Sequence, residues 1–276
     1  MFPYEEEYNF TLTIVKEATR LFSPAYNSDK NVETKESSSD LVTETDKAIE
    51  KLIFERVKEK YPEHVFIGEE SVSEDGKVVF GDSPTWIVDP IDGTMNFVHR
   101  YPHTCIVIGF TVNKTVQFGV VYNPVLDHLY TGRRGYGAQL NGFPIRVTGE
   151  TKLNKALLLC EMGGRRDAET LVIKSRNITA VCVEPDACHG LRMQGSAALN
   201  MCAIAAGHAD GYFEFGMHIW DMAAASVILS EAGGVILSPI AGEEFCLLKR
   251  RVIAAASVEL GTVLQSKIQS IEYASD

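Results

Sequence analysis

The chain has 276 residues, enough for one large domain or for two smaller halves that share a core. Its 26 basic and 37 acidic residues give a formal net charge of −11, which argues against a surface that binds nucleic acid or an anionic membrane. The six cysteines are scattered and form no C-x-x-C pair, which predicts reduced thiols. The sequence shows no leader, and no apolar run reaches the roughly 18 residues that a membrane span needs. We therefore expect a soluble, cytoplasmic protein.

The first predicted element is an amphipathic helix from Glu5 to Phe22, because apolar residues recur on one helical face. Residues 23–39 are polar and rich in turn-forming residues, so we expect a loop there. Lys35 lies in this loop, either as a solvated side chain or as a group that approaches the site described below.

A second helix is expected to begin after a cap at Thr43 or Thr45 and to end near Tyr61. Its apolar residues at helical spacing are Ile49, Leu52, Ile53 and Val57. Asp46 falls in its first turn, where the helix dipole stabilises a carboxylate whatever else that residue does.

Two apolar runs then each end on a pair of carboxylates. The run from Val65 delivers Glu69 and Glu70, and the run over residues 85–88 delivers Asp89 and Asp92. Hard divalent cations prefer carboxylate oxygens, and a strand end holds such ligands more rigidly than a free loop does. We interpret these runs as strands that carry metal ligands; the alternative is a capped turn with two solvated aspartates.

Gly93 and Thr94 follow directly and can open a helix. The backbone N–H groups at a helix N-terminus point outward with partial positive charge, which suits a phosphate oxygen. Together with Asp89 and Asp92, this stretch predicts a place that holds metal and phosphate side by side.

The middle of the chain predicts antiparallel strands. Residues 104–112 and 115–122 form a hairpin around Asn113-Lys114, and residues 129–131 and 143–147 extend the sheet, with a tight turn at Asn141-Gly142. The glycine-rich stretch 132–137 resembles a dinucleotide-binding loop, but it lacks a following helical pattern and a distal ribose acid.

Residues 156–160 begin the second half, which alternates strands and helices without strict β-α-β order. Helices are expected from Gly195 to Ala206, from Trp220 onward with Asp221 in the first turn, and over residues 258–271. The strands are expected at 211–215, 235–237 and 252–256. The small residues of these helices either expose backbone N–H groups or allow close packing. This mixture favours a layered α+β fold over a Rossmann sheet.

Taken together, these stretches resemble the inositol monophosphatase family of magnesium-dependent, lithium-sensitive phosphatases, closest to the animal enzymes. Residues 86–99 match the family's first signature, D-P-I-D-G-T followed by N-F, and residues 220–234 match the second, W-D-x-A with a terminal Gly-Gly. Gly68-Glu69-Glu70 and Asp46 fall where the family has its other acidic residues. The likeness covers nearly the whole chain, from about residue 5 to about residue 270.

The resemblance implies an αβαβα sandwich that often assembles as a homodimer. The chain would be one phosphatase domain, with halves of about residues 1–148 and 149–276 sharing one active site. It also implies two or three Mg²⁺ ions and inhibition by Li⁺. Glu69, Asp89 and the Ile91 carbonyl would hold the first ion; Asp89, Asp92 and Asp221 the second; and a weaker third would lie near Glu69.

In the implied mechanism a metal-activated water attacks the phosphate directly, with Thr94, hydrogen-bonded to Asp46, orienting the water. By the same resemblance, Glu69 would share that catalytic task. The N–H groups of Gly93 and Thr94 would bind phosphate. The partners implied for the polyol hydroxyls are Asp92, Gly195, Ala197, Glu214 and Asp221.

Some residues depart from the family pattern, and the roles of others are left open. Met95 replaces a frequent threonine, Ala224 and Ala225 replace a common glycine, and residues 163–166, Gly-Gly-Arg-Arg, differ from a hydroxyl-bearing loop. His189 and His218 fit packing roles better than metal ligation, because magnesium prefers oxygen.

The function predicted is hydrolysis of inositol monophosphates such as myo-inositol 1-phosphate. The alternatives are a phosphatase for a sugar phosphate or a nucleotide 3′,5′-bisphosphate, and a non-catalytic phosphate-binding protein. A bisphosphate would need an extra anion pocket, and the sequence shows no dense basic cluster beside the motifs.

Overall fold

The structure is a computed structural model that describes residues 2–29, 32–34, 41–75 and 78–276. Its helices are α1 (Glu5–Asn27), α2 (Glu44–Lys60), α3 (Glu69–Asp75), α4 (Thr94–His99), α5 (Ala168–Cys182), α6 (Ala197–Ala205), α7 (Ile219–Glu231) and α8 (Val258–Lys267). Its strands are β1 (Val32–Thr34), β2 (Leu41–Thr43), β3 (Val65–Gly68), β4 (Thr85–Asp92), β5 (Cys105–Val112), β6 (Thr115–Asn123), β7 (His128–Arg133), β8 (Gly137–Leu140), β9 (Phe143–Pro144), β10 (Leu157–Cys160), β11 (Gly190–Arg192), β12 (Gly211–Phe215), β13 (Val235–Leu237) and β14 (Arg251–Ala255). Among these residues, no helix combines the length and apolarity that crossing a membrane requires.

The first large sheet has seven strands in the order β3-β4-β5-β6-β7-β8-β9. β3 and β4 run parallel, and each later pair of neighbours in this sheet is antiparallel. Asn113 and Lys114 form the predicted turn between β5 and β6 with φ of 52° and 57°. The glycine-rich stretch 132–137 is the hairpin between β7 and β8, with no helix after it, which agrees with rejecting a dinucleotide loop.

The second large sheet has five strands in the order β11-β10-β12-β14-β13. β10 lies parallel to both of its neighbours, whereas β14 is antiparallel to β12 and β13. This mixed pairing explains why the sequence shows no regular β-α-β alternation.

The helices and sheets stack in layers. α1 and α2 pack on one face of the seven-stranded sheet, α6 and α7 lie between the two sheets, and α5 and α8 cover the other face of the five-stranded sheet. Each sheet therefore buries apolar side chains on both faces. The predicted α+β class and αβαβα layering are confirmed.

Three glycines explain how closely α7 approaches the first sheet. Gly109 on β5 pairs with Gly119 on β6, which pairs with Gly132 on β7, so the three form a row across the sheet. A Cβ on Gly119 would lie 2.6 Å from the Cα of Ala224, and one on Gly132 would lie 2.6 Å from the Cα of Ile228. The small residues of α7 therefore serve close packing, the second of the two explanations offered by the sequence.

We expect Gly119→Ala to lower the free energy of unfolding by about 3 kcal/mol, because the added methyl group must displace helix backbone rather than a flexible side chain. Gly81→Ala is the matched control, since its Cβ would meet nothing within 4 Å. Denaturant unfolding of the two variants measures the difference; equal stability would contradict this packing.

Several boundaries differ from the sequence predictions. α1 continues to Asn27, because Tyr26 is buried and stacks on Phe22, at 6.0 Å between ring centroids, so residues 23–27 are not loop. Residues 32–34 form β1, and Lys35 lies outside the described residues. α3, α5 and β11 were not predicted, and α8 ends at Lys267.

Candidate metal and phosphate site

β4 carries two of the predicted carboxylates beyond the end of its neighbour. Pairing with β3 stops at Val88, and the pairing with β5 is irregular between Asp89 and Asp92. Pro90, which has no N–H to donate, lies in this irregular stretch. The strand was predicted to end at Val88, but it continues to Asp92, so both carboxylates are positioned by the sheet.

The two aspartates of β4 are buried and each has fixed hydrogen bonds. Asp89 Oδ1 accepts the Ile91 N–H at 2.9 Å. Asp92 Oδ2 accepts the Ser196 hydroxyl at 2.5 Å and the Ala198 N–H at 2.8 Å, which ties β4 to the start of α6. These partners bind one oxygen of each carboxylate, and the side chains of Glu69 and Asp221 also interact with Asp89.

Asp221 reaches the same place from the first turn of α7. Its Oδ2 accepts the His218 N–H at 2.6 Å and so caps the helix. The His218 ring stacks on Trp220 at 4.5 Å, and its nitrogens lie 2.6 Å from Asp276 and 2.7 Å from Arg250. His218 is thus held among protein groups, as its packing interpretation predicted.

Asp89, Asp92 and Asp221 offer oxygens that all lie within 4.8 Å of one another. Burial raises the pKa of Asp92 to about 7 and that of Asp221 to about 6, while burial and the charge of Glu69 raise the pKa of Asp89 well above its usual range. Like charges held this close in a poorly solvated place favour a bound cation. An all-oxygen donor set fits a hard divalent ion such as Mg²⁺.

These pKa values determine how the metal-free protein responds to pH. A folded-state pKa above the ordinary aspartate value of about 3.9 means that the folded protein binds protons more tightly, so stability is lost as pH rises through the folded pKa. We expect wild type in chelator to lose stability relative to Asp92→Asn between about pH 5 and about pH 8, by on the order of 3 kcal/mol. Thermal unfolding of both proteins at each pH measures this; a constant difference would contradict it.

Glu69 is positioned at the start of α3 by a buried carboxylate on α2. Glu50 accepts the N–H groups of Glu70 at 2.7 Å and Ser71 at 2.8 Å, so it binds the first turn of α3. A Cβ on Gly68 would lie 2.6 Å from Glu50 Oε1, so a larger residue there would displace the Glu50 carboxylate. Glu69 contributes to the pocket wall and acts electrostatically on Asp89, as its predicted position requires.

Asp46 has both of the roles that the sequence left open. Its Oδ2 accepts the Thr43 N–H at 2.9 Å in a capping box, and its Oδ1 lies 3.4 Å from the Thr94 hydroxyl. The Thr94 hydroxyl also lies 3.0 Å from the Ile91 carbonyl, so its single proton has two competing acceptors. Burial raises the pKa of Asp46 to about 7.

Gly93 joins the two halves of the site. It has φ of +80° and precedes α4, and a Cβ there would lie 2.9 Å from the Gly195 carbonyl oxygen and 3.0 Å from that of His103. Asn96 adds to this junction, because its side-chain amide donates to the carbonyls of His103 at 2.7 Å and Gln194 at 2.6 Å. Only glycine satisfies both the backbone angle and the close approach.

A pocket of about 820 Å³ opens over these groups. Its lining includes the predicted residues Glu69, Asp89, Ile91, Asp92, Gly93, Thr94, Gly195, Ala197, Glu214 and Asp221. Asp46, which was also predicted to act in the site, is fully buried and is not among these lining residues. His189 is exposed and is not among the lining residues.

Glu161 and Glu214 form a second acidic part of the pocket. Glu161 accepts the N–H groups of Gln194 and Gly195 at 2.7 Å each and the Asn200 amide at 2.8 Å. Glu214 is buried and accepts the Tyr212 hydroxyl, and burial together with the charge of Glu161 raises its pKa. The Gly195 N–H is therefore engaged by Glu161 and is not exposed at the start of α6, as the sequence had suggested it could be.

The residues that support the site were not predicted from the sequence. Ser196, Glu50 and Glu161 bind backbone N–H groups or carboxylates far along the chain. Glu50 had a signal, since it lies one helical turn after Asp46 on the same face of α2. The others depend on contacts between elements that no local pattern reveals.

Comparison with known proteins agrees with this geometry. The profile of the inositol monophosphatase family matches residues 4–273. Inositol monophosphatase 1 of Rattus norvegicus is 45% identical over 99% of this chain and 98% of that protein, and inositol monophosphatase 2 of Homo sapiens is 43% identical over 99% and 94%. The solved structure of extragenic suppressor protein suhB from Bartonella henselae has a TM-score of 0.83 at 30% identity, over 96% of this chain and 99% of that one. The fold, the acidic cluster and both signatures agree with this match, and the chain belongs to the inositol monophosphatase family.

Proposed function

We propose that the protein hydrolyses inositol monophosphates, such as myo-inositol 1-phosphate, to inositol and phosphate in a magnesium-dependent reaction. The observation that carries this proposal is the meeting of Asp89, Asp92 and Asp221 within 4.8 Å in the wall of a pocket large enough for a cyclitol phosphate. The names of the relatives with 45% and 43% identity support the same substrate class.

The carboxylate and carbonyl oxygens of the pocket are the groups that would hold the metal. Glu69, Asp89 and the Ile91 carbonyl would hold one Mg²⁺, and Asp89, Asp92 and Asp221 a second, with Asp89 shared. A third ion would lie near Glu69. When bound, magnesium neutralises charge on the phosphate and lowers the pKa of a coordinated water. We also propose that Li⁺ inhibits the enzyme.

The chain's own groups orient the reactants. Gly93 and Thr94 line the pocket at the start of α4, where their N–H groups would donate to phosphate oxygens. The Thr94 hydroxyl can align the attacking water and pass its proton toward Asp46, at 3.4 Å. A pKa of about 7 suits Asp46 to accept a proton near neutral pH.

The polyol would lie between the metal carboxylates and Glu214. Asp92, Asp221 and Glu214 offer acceptors for ring hydroxyls, and Gly195 and Ala197 lie beside them in the pocket wall. We propose that the active enzyme is a cytoplasmic homodimer in which each chain forms one phosphatase domain, whose halves are residues 1–148 and 149–276. Both halves contribute to the pocket, because Asp92 comes from the first and Asp221 from the second.

Phosphate release from myo-inositol 1-phosphate, fructose 1,6-bisphosphate and adenosine 3′,5′-bisphosphate at saturating magnesium tests the substrate class. The proposal predicts efficient release from myo-inositol 1-phosphate. Turnover of one of the bisphosphates with none of the inositol ester would contradict it, and folded protein inactive on all three would favour a binding-only role.

A further inference from the structure

The segment after α8 returns to the pocket and reaches the start of α7. Tyr273 is among the pocket-lining residues, and its ring lies against Gly216, where a Cβ would be 2.8 Å from the ring carbon Cζ. Asp276 follows three residues later, and its side chain is only 4% exposed. The Asp276 backbone N–H donates to the Leu248 carbonyl at 3.1 Å. Both the backbone and the side chain of Asp276 are therefore held by the rest of the fold.

Asp276 binds two donors in the first turn of α7. Its Oδ2 accepts the Ile219 N–H at 2.9 Å, and its Oδ1 lies 2.6 Å from Nδ1 of His218. The neighbouring carboxylate, Asp221, accepts the His218 N–H through its Oδ2 at 2.6 Å. The two aspartates thus divide the backbone N–H groups at the start of this helix, where the helix dipole stabilises negative charge.

Arg250 determines how the His218 ring is bound. Its Nη2 lies 2.7 Å from His218 Nε2, and the same guanidinium donates to two backbone carbonyls just before this histidine, at 2.9 Å and 3.2 Å. A guanidinium group only donates hydrogen bonds and an ionised carboxylate only accepts them, so His218 Nε2 is the acceptor and Nδ1 carries the proton donated to Asp276. The ring is therefore held at both nitrogens while it stacks on Trp220.

Removal of the Asp276 carboxylate would leave both of these donors without their acceptor. Ile219 is fully buried, and an unpaired N–H group in such a place costs free energy that a shift of the helix start would recover. Asp221 belongs to the same turn, so it would move with the helix or accept the freed N–H itself. Either change disturbs a carboxylate that must be held to within about 0.5 Å to bind metal well.

We propose that Asp276 is a positioning residue for the metal site: it tightens magnesium binding by holding the first turn of α7, and with it Asp221, in the binding geometry. This deepens the proposed function and rests on it. Groups that orient a metal-binding carboxylate without touching the metal typically change metal affinity by about 10-fold to 100-fold. Asp276 lies beyond residues 4–273, the stretch that the family profile matches.

Magnesium calorimetry and initial rates across a magnesium series test this in wild type, Asp276→Asn and Glu272→Gln. Asparagine keeps the size of the side chain but replaces one of its two accepting oxygens with a donor. Glu272→Gln is the matched control, because it removes the same charge from the same segment. The Glu272 carboxylate binds Arg251 at 2.6 Å, not α7, and its side chain is 70% exposed.

We expect Asp276→Asn to raise the Kd for magnesium, and the magnesium concentration that gives half of the maximal rate, about tenfold. The kcat at saturating magnesium and the KM for myo-inositol 1-phosphate should change less than about threefold, because Asp276 does not line the pocket. Glu272→Gln should leave all of these quantities within about twofold of wild type. Asp276→Glu keeps both oxygens and should recover part of the magnesium affinity.

Thermal unfolding in chelator verifies that each variant is folded at the temperature of the assay, and Asp276→Glu carries the comparison if Asp276→Asn is not. Unchanged magnesium affinity in a folded Asp276 variant, or equal weakening in Glu272→Gln, would overturn the positioning role. Wild type that binds magnesium but releases no phosphate from myo-inositol 1-phosphate would instead refute the proposed function. Calorimetry would still decide the role of Asp276 in that case, so the two failures are distinguishable.

Discussion

Asp89→Asn is expected to lower kcat by at least about a thousandfold and to leave the protein folded, because Asp89 is the carboxylate shared between the two proposed metal positions. The substitution keeps the side-chain oxygen that accepts the Ile91 N–H at 2.9 Å, so local geometry has little reason to change. It also removes one of several buried like charges, so the metal-free variant should unfold at a higher temperature than metal-free wild type. Steady-state kinetics, magnesium calorimetry and thermal unfolding measure these effects.

Asp82→Asn is the matched control, because Asp82 is an exposed aspartate just before β4. It removes the same charge and should change neither kcat nor magnesium affinity. Turnover by Asp89→Asn within about tenfold of wild type would show that the shared carboxylate is not needed, and the metal assignment would then be wrong.

Thr94→Ala is expected to reduce kcat by about a hundredfold or more while changing magnesium affinity much less. The reason is geometric: the Thr94 hydroxyl lies between the Ile91 carbonyl at 3.0 Å and Asp46 at 3.4 Å, so it can align a water without being a metal ligand itself. Initial rates across a magnesium series separate the two quantities.

Thr94→Ser keeps the hydroxyl and should retain most of the activity, which distinguishes loss of the hydroxyl from disturbance of α4. If Thr94→Ala weakened magnesium binding as much as turnover, the hydroxyl would be acting as a ligand. If Thr94→Ser were as inactive as Thr94→Ala, the methyl group rather than the hydroxyl would be the important part.

The sequence was sufficient to predict the elements whose burial follows an apolar pattern. β5, β6, β12 and β13 were found to within one or two residues, because their apolar residues are local and bounded by turns. α5 was missed for a physical reason: its buried positions include the polar residues Thr170, Lys174 and Asn177, so no apolar stripe shows in the sequence. Thr170 and Lys174 are hydrogen-bonded by the loop just before α5, and Asn177 by Gln269 far along the chain, and an apolar periodicity reveals none of these bonds.

Helix ends were also decided by distant contacts. α8 was expected to reach Ile271 but ends at Lys267, where Asn177 of α5 both donates to the Gln269 carbonyl at 2.9 Å and accepts its N–H at 2.7 Å. These two bonds hold the backbone in a non-helical conformation. An asparagine on another helix gives no local signal of this.

The residues of the candidate site likewise fall into those that the sequence predicts and those that only the fold reveals. The residues predicted to contact metal or phosphate lie in two short signatures, and the structure brings Asp89, Asp92 and Asp221 together. The groups that hold them, Ser196 on Asp92 and Glu50 beneath α3, come from other elements and become visible only in the fold. No dense basic cluster was evident in the sequence, yet Arg165 and Arg166 lie at the pocket because the loop after β10 folds over Glu214.

The most direct test of the central claim is phosphate release from myo-inositol 1-phosphate by chelator-treated wild-type protein during titration with magnesium. We expect no release without metal and a saturable rise as magnesium is added. Undiminished release in excess chelator would contradict the claim that the carboxylates of Asp89, Asp92 and Asp221 act by holding metal.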